Sequence, residues 1–184
     1  METETETRKY YAYDEVREWP MVDGWSVCPD DSHFRISVHH EARVHLSVLL
    51  GSCAAVKAGA VVKAGAVIGS GAIIGFDAVV GAGATVEDDA VVGSVALVGT
   101  WAKIGSGSKV GHGAIIGFDS VVEAGVVVEA GAVVGSGAKV GSGAIIGFDA
   151  VVGAGATVED DAVVGDDAVV EAGATVEADA VAGA

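Results

Sequence analysis

The chain has 184 residues, 51% of them hydrophobic but only 5% aromatic, with 28 glycines and 2 prolines. This suits one domain filled with small branched side chains and excludes collagen, whose glycine period and proline content are missing. The formal net charge is -16, with sixteen acids beyond Leu46, which disfavours nucleic-acid phosphates and anionic membranes as partners.

The chain opens on METETETRKYY, which is charged and lacks the apolar segment of a secretory signal. No apolar run is long enough for a membrane-crossing helix, so a cytoplasmic location is expected. ETETET reads as disordered. Residues 1–37 hold Trp19, Trp25, Phe34, Tyr10, Tyr11 and Tyr13, most of the bulky aromatic material. They are expected to form a partly disordered arm that caps the body by covering its open strand edges. Cys28 and Cys53 show neither ligand nor redox spacing, and both are expected to stay reduced.

From Val38 onward every sixth residue is aliphatic: Val44, Leu50, Val56, Val62, Ile68, Ile74 and so on without interruption to Val176. Two positions before each aliphatic stands a small residue, Ala at most steps, with Ser108, Ser120 and Val126 among the departures. A spacing of two is the period of a strand, so both residues point inward and the one between them points out. The remaining positions, rich in Gly, Asp and Ser, form corners.

The units VKAGAV, IGSGAI, IGFDAV, VGAGAT and VEDDAV resemble those of the hexapeptide-repeat proteins. The resemblance implies an all-β fold, a left-handed parallel β-helix with three flat faces, spanning residues 38–184. Three hexads per coil give about eight coils of 18 residues, rising roughly 38 Å at the usual strand spacing. Residues 69–93 recur identically at 141–165, four coils later, so the same side chains return to the same face.

Sorting outward residues by coil gives three unlike faces. One carries Val61, Val79, Leu97, Ile115, Val133, Val151 and Val169 in an aliphatic column, preceded by Arg43 and flanked by glycines. A strip about 15 Å wide would offer on the order of 500 Å², more than a monomer usually exposes. This column is the expected oligomer interface; the resemblance points to a homotrimer, with a homodimer as the alternative. A second face, with Ile73, Val91, Val127, Ile145 and Val163, is apolar but broken by Lys109 and Glu129. The third presents Lys103 and Lys139 between Glu87, Glu123 and Glu159, a water-facing ladder of opposite charges. At the far end the register runs through Val181 with nothing resembling a cap, which would permit end-to-end stacking of copies.

The resemblance implies two chemistries: acyl transfer from acyl-coenzyme A by a histidine at a subunit boundary, or a three-histidine metal site of the carbonic-anhydrase kind. His112, in VGHGAI, is the one histidine of the regular body and the catalytic candidate for the first. His40 shares its corner column four coils earlier, roughly 19 Å away, too far to share a metal. His33, His39 and His45 form no ladder, and no metal is expected. Asp119 repeats the corner aspartates Asp77 and Asp149, and Trp101 is an unexplained corner residue. With no inserted loop, no paired histidine and a duplicated body, the leading expectation is a non-catalytic, self-associating scaffold without a cofactor. The alternative is an acyltransferase using acyl-coenzyme A between subunits, with His112 as its catalytic residue.

Overall fold

In a computed structural model, residues 7–12, 15–22, 25–27, 36–45 and 47–183 are described, the first three segments as backbone only. Four longer strands come first: β1 (Thr7–Ala12), β2 (Glu15–Val22), β3 (Trp25–Val27) and β4 (Ser37–His39). Twenty-four strands of two residues each follow, from Arg43–Val44 to Val181–Ala182. They wind into a left-handed parallel β-helix with three sheets of 12, 8 and 8 strands. Among the described residues no helix is long and apolar enough to cross a membrane.

Every strand of the solenoid pairs in parallel with the strand 18 residues on: Val79 lies beside Leu97, and Leu97 beside Ile115. Val79 N–H donates to Ala96 O at 2.9 Å and Gly81 N–H to Val98 O at 2.8 Å, and the same pair of bonds recurs along the column. Coils approach so closely that a Cβ on Gly99 would sit 2.6 Å from the Gly117 carbonyl carbon. The interior is the expected double column of aliphatic and small residues, Ile74, Val80 and Val86 with Ala72, Ala78 and Ala84 all fully buried. Two inward positions are polar and satisfied: Ser108 Oγ donates to Glu123 O at 2.6 Å, and Ser120 Oγ to Gly117 O at 2.8 Å.

The second face gains its extra strands at the N-terminal end. There β1, β2, β3 and β4 pair antiparallel in sequence, and β4 then pairs in parallel with Ala55–Val56. The segment expected to cap the body is thus joined to it as sheet, consistent with a cap. Residues 2–6 of the ETETET segment, Phe34, His33, Cys28 and the side chains of Trp19, Trp25, Tyr10, Tyr11 and Tyr13 lie outside the described residues. Cys53 stands exposed at a corner.

Each corner turns through a residue in the left-handed region. Glycine fills most of these positions, and Asp77, Asp89, Asp119, Asp149, Asp161, Asp167 and Asp179 fill seven more. Aspartate tolerates that conformation better than most residues. Val95 (φ 61°) and Trp101 (φ 61°) occupy it too, and a β-branched side chain is strained there.

Many surface acids serve as acceptors for corner backbone. Asp88, Asp160 and Asp166 accept the N–H of Ser70, Ser142 and Phe148, one coil earlier, at 2.7, 2.8 and 2.9 Å. Glu87 and Glu159 reach one coil later, to the N–H of Ser106 and Ala178 at 3.1 Å each. The expected charge ladder forms at one rung: Lys103 Nζ lies 2.8 Å from Glu87 Oε1, whereas Lys139 has no ion pair among the described residues. The Lys103 hydrogen bond holds the Glu87 carboxyl below the usual glutamate range, with Ser106 assisting and burial opposing, and the same bond raises Lys103.

Two outcomes follow for stability. Val95→Asn relieves the corner strain and is expected to stabilise the solenoid by about 1 kcal/mol in chemical denaturation; an unchanged or lower midpoint would contradict it. Glu87 is lowered on folding, so its pair with Lys103 contributes above the ordinary glutamate range, and that contribution is lost as pH falls through the lowered value. Glu87→Gln is expected to cost up to about 1 kcal/mol at neutral pH, the exposed pair being screened by water. Its deficit should fade below about pH 4.

Candidate functional site

The aliphatic column lies where the period places it, on the eight-stranded sheet from Arg43–Val44 to Val169–Val170. Val61, Val79, Val133 and Val151 are half-buried by their neighbours, while Leu97 and Ile115 are 42% and 41% exposed. The two corners bounding this sheet add aromatic side chains. Phe76 and Phe148 stand exposed on the corner that leads into the face, and Trp101 and Phe118 on the corner that leaves it. The phenylalanines went unremarked in the sequence reading, yet the signal is present. In GFD units Phe occupies the first corner position, which has no inward direction. Trp101 lays its ring over Gly83, where a Cβ would collide with the indole.

His112 sits on the leading corner, exposed, at the level of strand Ile115–Ile116. Its carbonyl accepts Gly131 N–H at 3.0 Å, and its imidazole has no partner among the described residues. On the other edge of the face, in the same coil, stands Asp119. Its left-handed φ of 53° matches Asp77 and Asp149, but its surroundings differ. Asp77, Asp89, Asp149 and Asp161 each fold a carboxylate over a glycine one coil earlier, at Gly59, Gly71, Gly131 and Gly143. The residue one coil before Asp119 is Trp101, so the Asp119 carboxylate has no such seat and no bonded partner among the described residues.

The N-terminal histidines fall into two groups. His39 and His40 pack against each other with ring centroids 4.4 Å apart. Glu41 lies 3.9 Å from His39 Nδ1 and 4.0 Å from His40 Nε2. His39 ends strand β4 and His40 begins the corner beyond it, and the two rings meet there. His45 is separate and tied to Ser47: Ser47 N–H donates to His45 Nδ1 at 3.2 Å, and Ser47 Oγ lies 2.9 Å from the same nitrogen. Gly65 N–H donates to Ser47 Oγ at 2.8 Å. Among the described residues no three His, Cys, Asp or Glu side chains come together as a metal site.

Comparison with known proteins bears on the chemistry. Residues 143–178 match the bacterial transferase hexapeptide (six repeats) family, and residues 98–137 the hexapeptide repeat of succinyl-transferase. A search of curated proteins found no significant match. Among solved structures, the acetyltransferase domain of PglB from Neisseria gonorrhoeae is similar at 31% identity and a TM-score of 0.53, covering 54% of this chain and 48% of that one. UDP-N-acetylglucosamine O-acyltransferase (LpxA) from Moraxella catarrhalis is similar at 15% identity and a TM-score of 0.53, covering 72% and 66%, a likeness of fold. PerB from Caulobacter crescentus, solved with CoA and GDP-perosamine, is similar at 22% identity and a TM-score of 0.41, covering 77% and 51%. The chain thus spans about half the length of the gonococcal domain.

Two expectations are corrected. The likeness at 31% identity to a domain named as an acetyltransferase overturns the leading reading of a non-catalytic scaffold and favours its alternative. The expectation of no cofactor falls with it, since acyl transfer consumes an activated donor. The error lay in weighing missing loops within one chain, when a face bordered by unpartnered polar groups can be completed by another copy.

Proposed function

Because the chain belongs to the hexapeptide-repeat family of left-handed β-helix proteins, we propose that it is an acyltransferase moving an acyl group from an acyl-coenzyme A thioester to a hydroxyl or amine. The observation that carries this reading is the 31% identity to the gonococcal acetyltransferase domain at a TM-score of 0.53. An acyl-coenzyme A donor is also in keeping with the expected cytoplasmic location.

His112 acts as the general base. Its imidazole takes the acceptor's proton as the oxygen or nitrogen attacks the thioester carbonyl. The carbon–sulfur bond then breaks, and the proton passes to the departing thiolate.

A base exposed on a corner needs something to orient it, and this chain offers His112 no partner of its own. Three copies packed on their aliphatic faces around an axis parallel to the solenoid supply one. In such a closed ring the leading edge of one copy meets the trailing edge of the next. Equal heights would then bring His112 to the partner subunit's Asp119, with the partner subunit's Trp101 and Phe118 walling the cleft. A two-fold dimer about an axis parallel to the solenoid would likewise set unlike edges together, so the His112–Asp119 pairing requires only a parallel assembly, and the family resemblance favours the trimer.

Thiol release from acetyl-coenzyme A, assayed with a panel of amino and hydroxyl acceptors, tests the activity. His112→Ala is expected to lose about 10²–10⁴-fold in rate, and a variant as fast as the parent would remove His112 from the mechanism. Light scattering should report three chains per particle. Replacing both Leu97 and Ile115 by Asp should release folded monomers, whereas a monomeric parent would contradict the interface.

A further inference from the structure

The solenoid's charge is unevenly distributed along its length. Between residues 36 and 65 stand Arg43, Lys57 and Lys63 with three histidines and one acid, Glu41, whereas from 66 to 183 three lysines face sixteen acids. Arg43 and His45 flank Val44, and Lys63 stands one coil beyond His45, since Arg43–Val44 pairs with Val61–Val62. Together these cationic and imidazole groups line a shallow depression of about 410 Å³ floored by Val44, Val61 and Val62.

No carboxylate lines this depression. Arg43 and Lys63 have no ion pair among the described residues. Lys57 sits 5.1 Å from the centroid of the Phe76 ring, and Glu41 faces His39 and His40. Among the described residues a guanidinium and an ammonium thus stand side by side without a carboxylate partner, on a strongly acidic protein.

His45 adds direction. A backbone N–H can only donate, so the Ser47 N–H bond to Nδ1 makes that nitrogen an acceptor. Gly65 N–H occupies a lone pair of Ser47 Oγ, leaving the Ser47 hydroxyl proton to point at the same Nδ1. The neutral ring therefore carries its proton on Nε2. In this form the ring is unsuited to act as a base through Nε2 and instead offers a fixed N–H donor.

We infer that this depression binds a phosphate or diphosphate group, with Arg43 and Lys63 supplying charge and His45 Nε2–H a directed hydrogen bond. Arginine can grip two phosphate oxygens at once, while lysine acts as a point charge. Pyrophosphate binding itself stands on the depression alone, whereas its assignment to the diphosphate of an acyl donor or of a nucleotide-linked acceptor rests on the acyl-transfer reading.

Inorganic pyrophosphate titrated into the full chain at low salt, followed by amide chemical shifts, tests the inference. Saturable shifts are expected at Arg43, His45, Lys63 and Gly65. Arg43→Ala and Lys63→Ala should each weaken binding about tenfold, whereas Lys109→Ala, which removes a cation elsewhere, should not. Ser47→Ala, which frees the ring, should weaken it as well, with Ser47→Thr restoring it. Circular dichroism confirms that each variant is folded. No saturable shift at these residues by about 20 mM pyrophosphate, far above ordinary phosphate-site affinities, or equal binding by the parent and both cation variants, overturns the site. Displacement by coenzyme A assigns it to the donor, and displacement by UDP alone assigns it to a nucleotide-linked acceptor. Displacement by neither overturns its assignment to a ligand's phosphate. Loss of this binding with acyl transfer intact would separate the two readings.

Discussion

The parallel backbone ladder between residues 18 apart governs everything else in this molecule. Val79 N–H can reach Ala96 O only if each coil contains the same number of residues, so an insertion would shift the columns beyond it out of register. The ladder also sets the small distance between coils, which leaves no room for a Cβ at Gly99, and limits the interior to small and branched aliphatic side chains, Ser108 and Ser120 among the small ones. Aromatic residues are consequently excluded from the core. Within the regular body they stand exposed at corners, as Phe76, Trp101, Phe118 and Phe148 do.

Corners carry the variation that the ladder forbids elsewhere. They leave backbone N–H groups without a strand partner, and buried or half-buried donors must be satisfied. The carboxylates of Asp88, Asp160, Asp166, Glu87 and Glu159 do so. Part of the net charge of -16 is thereby explained as corner chemistry and needs no cationic partner. Against that background two groupings matter for function: His112 and Asp119 on opposite edges of one coil, and Arg43, His45 and Lys63 at the basic end.

The six-residue period made the fold legible, because one inward aliphatic per hexad and one small residue two positions earlier admit few alternatives. Sorting by 18 then recovered the aliphatic face and the His40–His112 corner column. Contacts that step between coils were harder to read. Glu87 was expected to meet Lys103 and does, but it also reaches Ser106; Glu123 bonds the Ser142 hydroxyl rather than a lysine. The His45 relay combines a neighbour two residues on with another in the next coil, a pairing no linear spacing suggests. Asp119 reads as positional in sequence and matches its counterparts in φ. It is set apart only when the residue one coil earlier proves to be Trp101 rather than glycine.

The proposed trimeric acyltransferase would divide its catalytic pair between chains, and mixing subunits tests that division directly. His112→Ala and Asp119→Ala chains, each of low activity alone, would be dissociated, combined and allowed to reassemble. Mixed particles contain boundaries where an intact His112 faces an intact Asp119 of the partner subunit, so acyl-transfer activity should rise well above that of either variant. Activity that stays at the level of the separate variants, in particles shown to be mixed, would contradict a site completed across the boundary.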